Sequence, residues 1–250
     1  MRTWLQALQD HRQELEKNDF RGNDILGIFC YGSQNYGVAT ANSDWDTKAI
    51  IIPSFEKMVL KKPVSKELQL YNKEHCEVKD IREMIEMFKK QNINFIEILF
   101  TQYFWINPYY QEIWNKYFIE HRQEIAHYDI NKTIQSICGQ ALNTLKQNSN
   151  DAKKVANAYR LMRFIERKFT FKNYEDCIIL PSEEREMIMQ MKATGEILIS
   201  AEEVEKKLLY LKTHKFVIDS EQQEKVNNIM KKGILECFKI RLKKEKENEI

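Results

Sequence analysis

Apolar and polar positions fall into two regimes along the chain. Up to residue 107 short apolar runs alternate with turn residues, and beyond it apolar residues recur every three or four positions. In residues 3–18, Trp4, Leu5, Leu8 and Leu15 stand among charges, the pattern of an amphipathic helix. Arg21-Gly22-Asn23-Asp24 reads as a turn. ILGIFCY, residues 25–31, is short and apolar and predicts a buried strand; TKAIII, residues 47–52, predicts a second, stopped by Pro53. The basic segment VLKKPVSKELQLY, residues 59–71, predicts a loop passing into extended chain. EHCEVKD, residues 74–80, alternates Cys76 and Val78 with Glu77 and Lys79 and predicts a third strand.

From Ile81 the period changes. Ile81, Met84, Ile85 and Phe88 repeat at three and four, as on one face of a helix. INFIEILFTQYFWI, residues 93–106, is apolar enough to belong to the core. After Asn107-Pro108 the pattern predicts helices over 109–127, 130–147, 151–169, 182–193, 201–213 and 220–242, with starts marked by Pro181-Ser182-Glu183-Glu184 and Ser200-Ala201-Glu202-Glu203. The charged tail RLKKEKENEI, residues 241–250, is expected to be a frayed, solvated helix end. The expected fold is α+β, a strand-bearing part over residues 1–107 followed by a mostly α-helical part over residues 108–250.

Composition narrows the class. With 43% hydrophobic residues in 250, the chain can bury a substantial core. Lysine and arginine total 39 against 37 acids, so the overall charge of +2 announces neither a nucleic acid nor a membrane partner, and any basic surface must be local. Five cysteines, odd in number and scattered without CxxC spacing, read as reduced core thiols rather than a disulfide frame or zinc site. No leader-like apolar segment opens the chain, and no apolar run approaches the ~20 residues of a membrane helix. The expectation is a cytoplasmic globular protein with no membrane partner.

Candidate chemistry concentrates in CYGSQNYGVATANSDWDTKAIIIP, residues 30–53. Asp44 and Asp46 flank Trp45, and the period of two puts both carboxylates on one face of an entering strand and the indole on the other. Like charges so placed repel unless a cation lies between them. A few hard oxygen ligands, completed by water and phosphate, suit Mg²⁺, with Mn²⁺ as its substitute. Two such ions ~3.5–4 Å apart activate an attacking oxygen and stabilise a leaving one in phosphoryl transfer. A further acid is expected from EHCEVKD: Glu77 favoured, Asp80 its rival, with Asp80 alternatively the N-cap of the following helix. Gly32-Ser33 follows the first strand directly. Glycine there allows backbone to approach a phosphate, amides of a following helix can hold it, and the Ser33 hydroxyl adds a donor. Each motif alone is weak; their joint order is specific.

That order, YGSQNYGVATANSDWDTKAI, resembles the active-site signature of the DNA polymerase β nucleotidyltransferase superfamily, a Gly-Ser followed by Asp-x-Asp. It is most similar to the bacterial and phage branch of RNA-ligase-associated nucleotidyltransferase-like proteins, and EVKDIREMIEMFKKQNINFIEILFT extends the similarity, which covers about residues 25–103. The resemblance implies a mixed sheet with flanking helices followed by a helical substrate-side or partner-binding region. It implies that Gly32 and Ser33 hold a triphosphate, that Asp44 and Asp46 ligate metal, and that Glu77 is the third carboxylate. The third position is commonly Asp in the superfamily, so Glu77 departs from it by one methylene.

Other residues have two readings each. Lys48, Lys61 and Lys62 are candidates to lie near a triphosphate, against the ordinary solvated lysine. Arg160 and Arg163, three apart on one helix, can clamp phosphate as planar forks or pair with acids such as Glu166. Tyr36 can stack a base or pack in the core, while His75 and the aromatic run YFWINPYY, residues 103–110, read as structural. The expected activity is Mg²⁺-dependent transfer of a nucleoside monophosphate from an NTP to an RNA end, a protein or a small molecule, releasing pyrophosphate. A non-catalytic nucleotide-binding or sensor module of the same fold is the alternative. A sugar-nucleotide transferase using Asp-x-Asp with Mn²⁺ has no particular use for the upstream Gly-Ser.

Overall fold

A computed structural model describes residues 2–40, 43–62 and 64–248. Ala41 and Asn42 of the signature segment, Pro63 of the basic segment and the last two positions of the charged tail lie outside the described residues. The fold is α+β and 60% helical, with one mixed sheet of five strands. Helix α1 (Trp4–Lys17) starts at Thr3, whose hydroxyl accepts the Gln6 N–H while the Gln6 side chain accepts the Thr3 N–H at 2.9 Å, a reciprocal cap. The strands are β1 (Ile25–Cys30), β2 (Thr47–Ile51), β3 (Lys66–Gln69), β4 (His75–Asp80) and β5 (Phe104–Ile106), in the order β3-β4-β2-β1-β5. Only β2 and β4 pair in parallel; the other neighbours are antiparallel.

Register fixes which side chains share a face. Lys48 of β2 stands opposite Glu77 of β4, and Ala49 opposite Val78. Ala49, Ile51, Cys76 and Val78 pack with Leu15 of α1 and Phe20, whereas Leu26, Phe29 and Ile50 join the core shared with the C-terminal helices. Gly27 pairs with Ile106 of β5, where an added Cβ would lie 2.7 Å from Ile106 Cδ1 and 2.9 Å from the Trp105 carbonyl oxygen. Only glycine permits that approach.

Helices follow in chain order: α2 (Phe55–Val59), α3 (Ile81–Lys89), α4 (Ile93–Ile96) with a 3₁₀ turn at Glu97–Leu99, α5 (Gln111–Trp114) running into a π turn at Asn115–Ile119, and α6 (Arg122–Ala126). Then come α7 (Ile130–Gln147), α8 (Ala152–Thr170), α9 (Tyr174–Ile178), α10 (Ser182–Thr194), α11 (Ala201–Leu211) and α12 (Ser220–Asn248). Asp80 takes the capping role: its carboxylate accepts the Arg82 N–H at 2.8 Å at the start of α3. The expected single helix over 109–127 is broken into three pieces, and β5 and α9 were not anticipated as elements. The charged tail is helical through residue 248, because Arg241 reaches back to Asp24 at 2.5 Å and also pairs with Glu245 at 3.3 Å.

One hydrophobic core runs from Leu26 to Cys237 and passes through residue 108 without a break. Phe29 meets Trp114 with ring centroids 4.8 Å apart, and Phe100 stacks on Tyr174 at 4.5 Å. All five cysteines are buried and free. Among the described residues no helix is long and apolar enough to cross a membrane.

Candidate functional site

Trp45 anchors the Asp-x-Asp segment from inside. Its indole packs on Trp4 at 5.6 Å and Tyr103 at 5.1 Å, and its ring N–H donates to the Arg2 carbonyl at 3.3 Å. With the indole buried, Asp44 is exposed and Asp46 half-buried. The backbone of Asp46 accepts the Tyr31 N–H at 3.1 Å, and its Oδ1 accepts the His75 N–H at 3.2 Å. Behind the segment, buried Glu74 accepts the Trp45 N–H at 3.3 Å, contacts His11 at 3.2 Å and pairs with Arg2. Burial pushes the Asp46 carboxyl up; the His75 N–H opposes this and the neighbouring Asp44 charge adds to it. The two aspartates therefore repel one another.

Glu77 lies on the same face of the sheet as Asp46, two strand positions from the His75 amide. Its carboxylate is ion-paired to Lys48 and lies 3.2 Å from Lys79. Burial alone would raise the Glu77 carboxyl, but the two lysines outweigh it and hold it below the usual range. Lys48, expected near a triphosphate, is instead almost wholly buried, its ammonium 4.1 Å from the Tyr31 ring centre and 4.5 Å from that of Phe95. A buried ammonium needs a partner, and Glu77 supplies it. Among the described residues no three His, Cys, Asp or Glu side chains gather as a metal-binding group. Asp44 and Asp46 stand as a pair, with Glu77 compensated by lysine.

The Gly32-Ser33 turn opens a different surface. Gly32 has φ +86°, a left-handed conformation that favours glycine, and its N–H donates to Glu97 Oε1 at 3.2 Å. The expected helix after it is absent: Asn35 N–H returns to the Gly32 carbonyl at 3.0 Å and Val38 N–H to the Ser33 carbonyl at 3.2 Å, closing successive turns. The turn forms one wall of a cavity of about 550 Å³ whose other walls come from α4, α7, α8 and α10. Lys153, Lys154, Arg160 and Lys192 line it, with Asp151 as the one acid among its lining residues. Asp151 is occupied as the N-cap of α8, accepting the Lys153 and Lys154 N–H groups at 2.8 and 3.2 Å. Burial, then the charges of Lys153 and Arg160, hold the Lys192 ammonium below its ordinary range. Like charges converge here without an opposing wall of acids.

Arg160 of the predicted pair lies in this cavity, its guanidinium 3.7 Å over the Tyr36 ring. Tyr36 is thereby both packed and cavity-lining. Arg163 is not there: it pairs with Glu166 and, at 2.8 Å, with Glu184 of α10, because three residues further along α8 the side chain has rotated toward that helix. Lys61 and Lys62 are exposed and line no part of it, and Lys62 pairs with Glu56 at 3.0 Å. Asp44, Asp46 and Glu77 do not line the cavity either; Tyr31 joins the two regions. It is a cavity wall, its N–H meets Asp46, and burial followed by the charges of Asp46, Glu77 and Glu97 pushes its hydroxyl well above the ordinary range.

Sequence reasoning missed Lys153, Lys154, Lys192 and Glu97. The signal for Glu97 was a lone acid within INFIEIL, and for Lys153 and Lys154 a basic pair just after a helix-capping aspartate; Lys192, single in the last turn of α10, carried none. No family model and no curated protein matches the chain.

Proposed function

We propose that the protein is a metal-dependent nucleotidyltransferase of the polymerase β type, which transfers a nucleoside monophosphate from an NTP to an acceptor. The observation that carries this reading is the meeting, across Tyr31, of a four-cation cavity walled by Gly32-Ser33 with a mutually repelling Asp44–Asp46 pair. The cavity lysines and Arg160 suit a polyphosphate, Arg160 as a planar fork and the lysines as point charges. Ser33 contributes its hydroxyl from the opposite wall.

Asp44 and Asp46 fit a Mg²⁺ held by two carboxylates plus substrate phosphates, since a cation there relieves the repulsion that burial sharpens on Asp46. Bound there, such an ion would supply charge stabilisation at the α-phosphate and lower the pKa of the attacking oxygen. Glu77 does not fit as a free third ligand while Lys48 and Lys79 hold it. In the reaction the acceptor oxygen bonds to the α-phosphorus, the bond from that phosphorus to the bridging oxygen breaks, and pyrophosphate leaves with the electron pair. The acceptor proton passes to solvent or a nearby carboxylate. The residues act mainly by positioning and by fixed charge.

The test incubates the protein with Mg²⁺ or Mn²⁺ and each α-labelled NTP, with total cellular RNA and protein as acceptors. Asp44→Asn and Asp46→Asn are expected to cut labelling by about 100-fold or more while leaving the circular dichroism spectrum intact. Unchanged labelling in either variant sinks the mechanism. The lysine-compensated Glu77 favours a second reading, a nucleotide-binding module without turnover. Tight NTP binding by the wild-type protein with no pyrophosphate release would select it.

A further inference from the structure

Glu97 is the one acid of the apolar run at residues 93–100, and it is 1% exposed. Oε1 accepts the Gly32 N–H at 3.2 Å and Oε2 lies 3.5 Å from the Asn35 amide nitrogen. Asn35 is itself fixed, donating to the Cys30 carbonyl at 3.1 Å and accepting the Thr101 hydroxyl at 2.7 Å. Tyr36 and Arg160 face the same carboxylate, and burial raises its pKa against the pull of the Tyr36 hydroxyl, the Arg160 charge and the Gly32 N–H. Glu97 thus holds from behind the turn that carries Ser33, and its charge acts on the arginine of α8 that lies over Tyr36. Packing does not account for the charge. A glutamine of the same shape fills the volume without the cost of burying an ion.

The geometry points to Glu97 as a positioning residue, which locks the Gly32-Ser33 turn and Arg160 into one preformed grip for a polyphosphate. The inference rests on the polyphosphate-binding reading above and names the residue that organises that site. Glu97 takes the Gly32 N–H for itself, so this amide is not a phosphate donor. Among the described residues the Ser33 amide donates to no protein acceptor, and it remains for the ligand beside the Ser33 hydroxyl. The Arg160 guanidinium is held over the Tyr36 ring at 3.7 Å and donates to Asn157 Oδ1 at 3.0 Å, while the Glu97 charge attracts it from behind. A site organised before binding does not spend affinity on ordering itself.

The test uses inorganic tripolyphosphate, whose binding needs no choice of base, measured by calorimetry on the full chain. Glu97→Gln is expected to weaken binding about tenfold or more, the loss expected for hydrogen bonds to a charged group. Glu97→Asp, which keeps the charge, should recover part of it. Because part of the Glu97 effect acts through Arg160, the Glu97→Gln fold-loss should be clearly smaller in an Arg160→Gln background. Equal affinity of Glu97→Gln and wild type overturns the inference and leaves the polyphosphate site standing; so does the same fold-loss in both backgrounds. Failure of the wild-type protein to bind tripolyphosphate or any NTP overturns both. Should Glu97→Gln fail to fold, Glu97→Asp carries the same comparison in the two backgrounds.

Discussion

Lys48 changes meaning once its neighbours are fixed. By sequence it is a cation just after Asp-x-Asp; in the fold it is a wholly enclosed ammonium whose charge is spent on Glu77. Its direction was legible, because period two places Asp46, Lys48 and Ile50 on one face, but its partner depended on the parallel register with β4. Nothing local encodes that register. The same holds for His11, which sits between the Thr47 hydroxyl at 2.8 Å and Glu74 at 3.2 Å, behind the Asp-x-Asp segment. Burial lowers its pKa from 6.5, outweighing Glu74; Arg2 adds to the lowering and Asp10 opposes it. The unfolded chain therefore takes up a proton near pH 6.5 that the folded imidazole resists. The stability is fully present above that pH and is lost as the pH falls below it, with a slope of up to ~1.4 kcal/mol per pH unit for one proton. Urea denaturation between pH 7.5 and 5.5 should show this fall in the wild type and a flatter profile in His11→Gln. Parallel profiles would show that His11 is not the group responsible.

At the scale of elements, long amphipathic helices were the legible part and short elements were not. Helices α7, α8 and α10 lie within a residue or so of their expected spans because a buried stripe repeats over several turns. The three residues of β5 carry no period, and Phe104 within it is exposed, so only pairing with β1 makes it a strand. Helix α8 and its cap supply more of the cavity lining than any other helix. Its cap Asp151 and the side chains of Lys153, Lys154, Asn157 and Arg160, spaced as neighbours on one helix face, meet the cavity, while Arg163 and Arg167 tie it to Glu184 of α10. Capping and charge can be separated at Asp151. Asn caps about as well as Asp, so Asp151→Asn should change stability by less than about 0.5 kcal/mol, whereas Asp151→Ala should cost about 1 kcal/mol. Neutralising Asp151 removes the one acid that lines the cavity, and tripolyphosphate binding should tighten by about threefold at low salt, fading as salt rises. Weaker binding in the Asn variant, read by calorimetry at two salt concentrations, would mean that the cavity charge does not govern the ligand.

Across the whole molecule, composition suggested two parts meeting near residue 107, a strand-bearing one and a helical one, and the packing joins them. Asn107 itself donates to the Gly22 carbonyl at 2.8 Å and the Ile25 carbonyl at 3.1 Å, pinning the junction to the start of β1. Phe29 packs on Trp114, Phe88 lies 6.5 Å from Phe118 and Phe100 stacks on Tyr174, so three aromatic pairs cross the junction. Arg241 of α12 closes the circuit by pairing with Asp24 at 2.5 Å. A change of secondary structure along a sequence says which elements form, but a domain is defined by which surfaces its elements bury, and that was not legible from the pattern. Each large side chain returned to water costs about 1.5–3 kcal/mol. Losing three such partners forfeits an amount comparable with the ~5–15 kcal/mol net stability of a folded domain. A fragment of residues 1–107 should therefore fail to fold alone, and the intact chain should unfold in one transition detected alike by tryptophan fluorescence and far-ultraviolet circular dichroism. The fragment's thermal melt is the decisive measurement: a sigmoidal transition of its own, or two separable transitions in the intact chain, would show that the sheet is an autonomous domain and that the cavity lies at a docking interface.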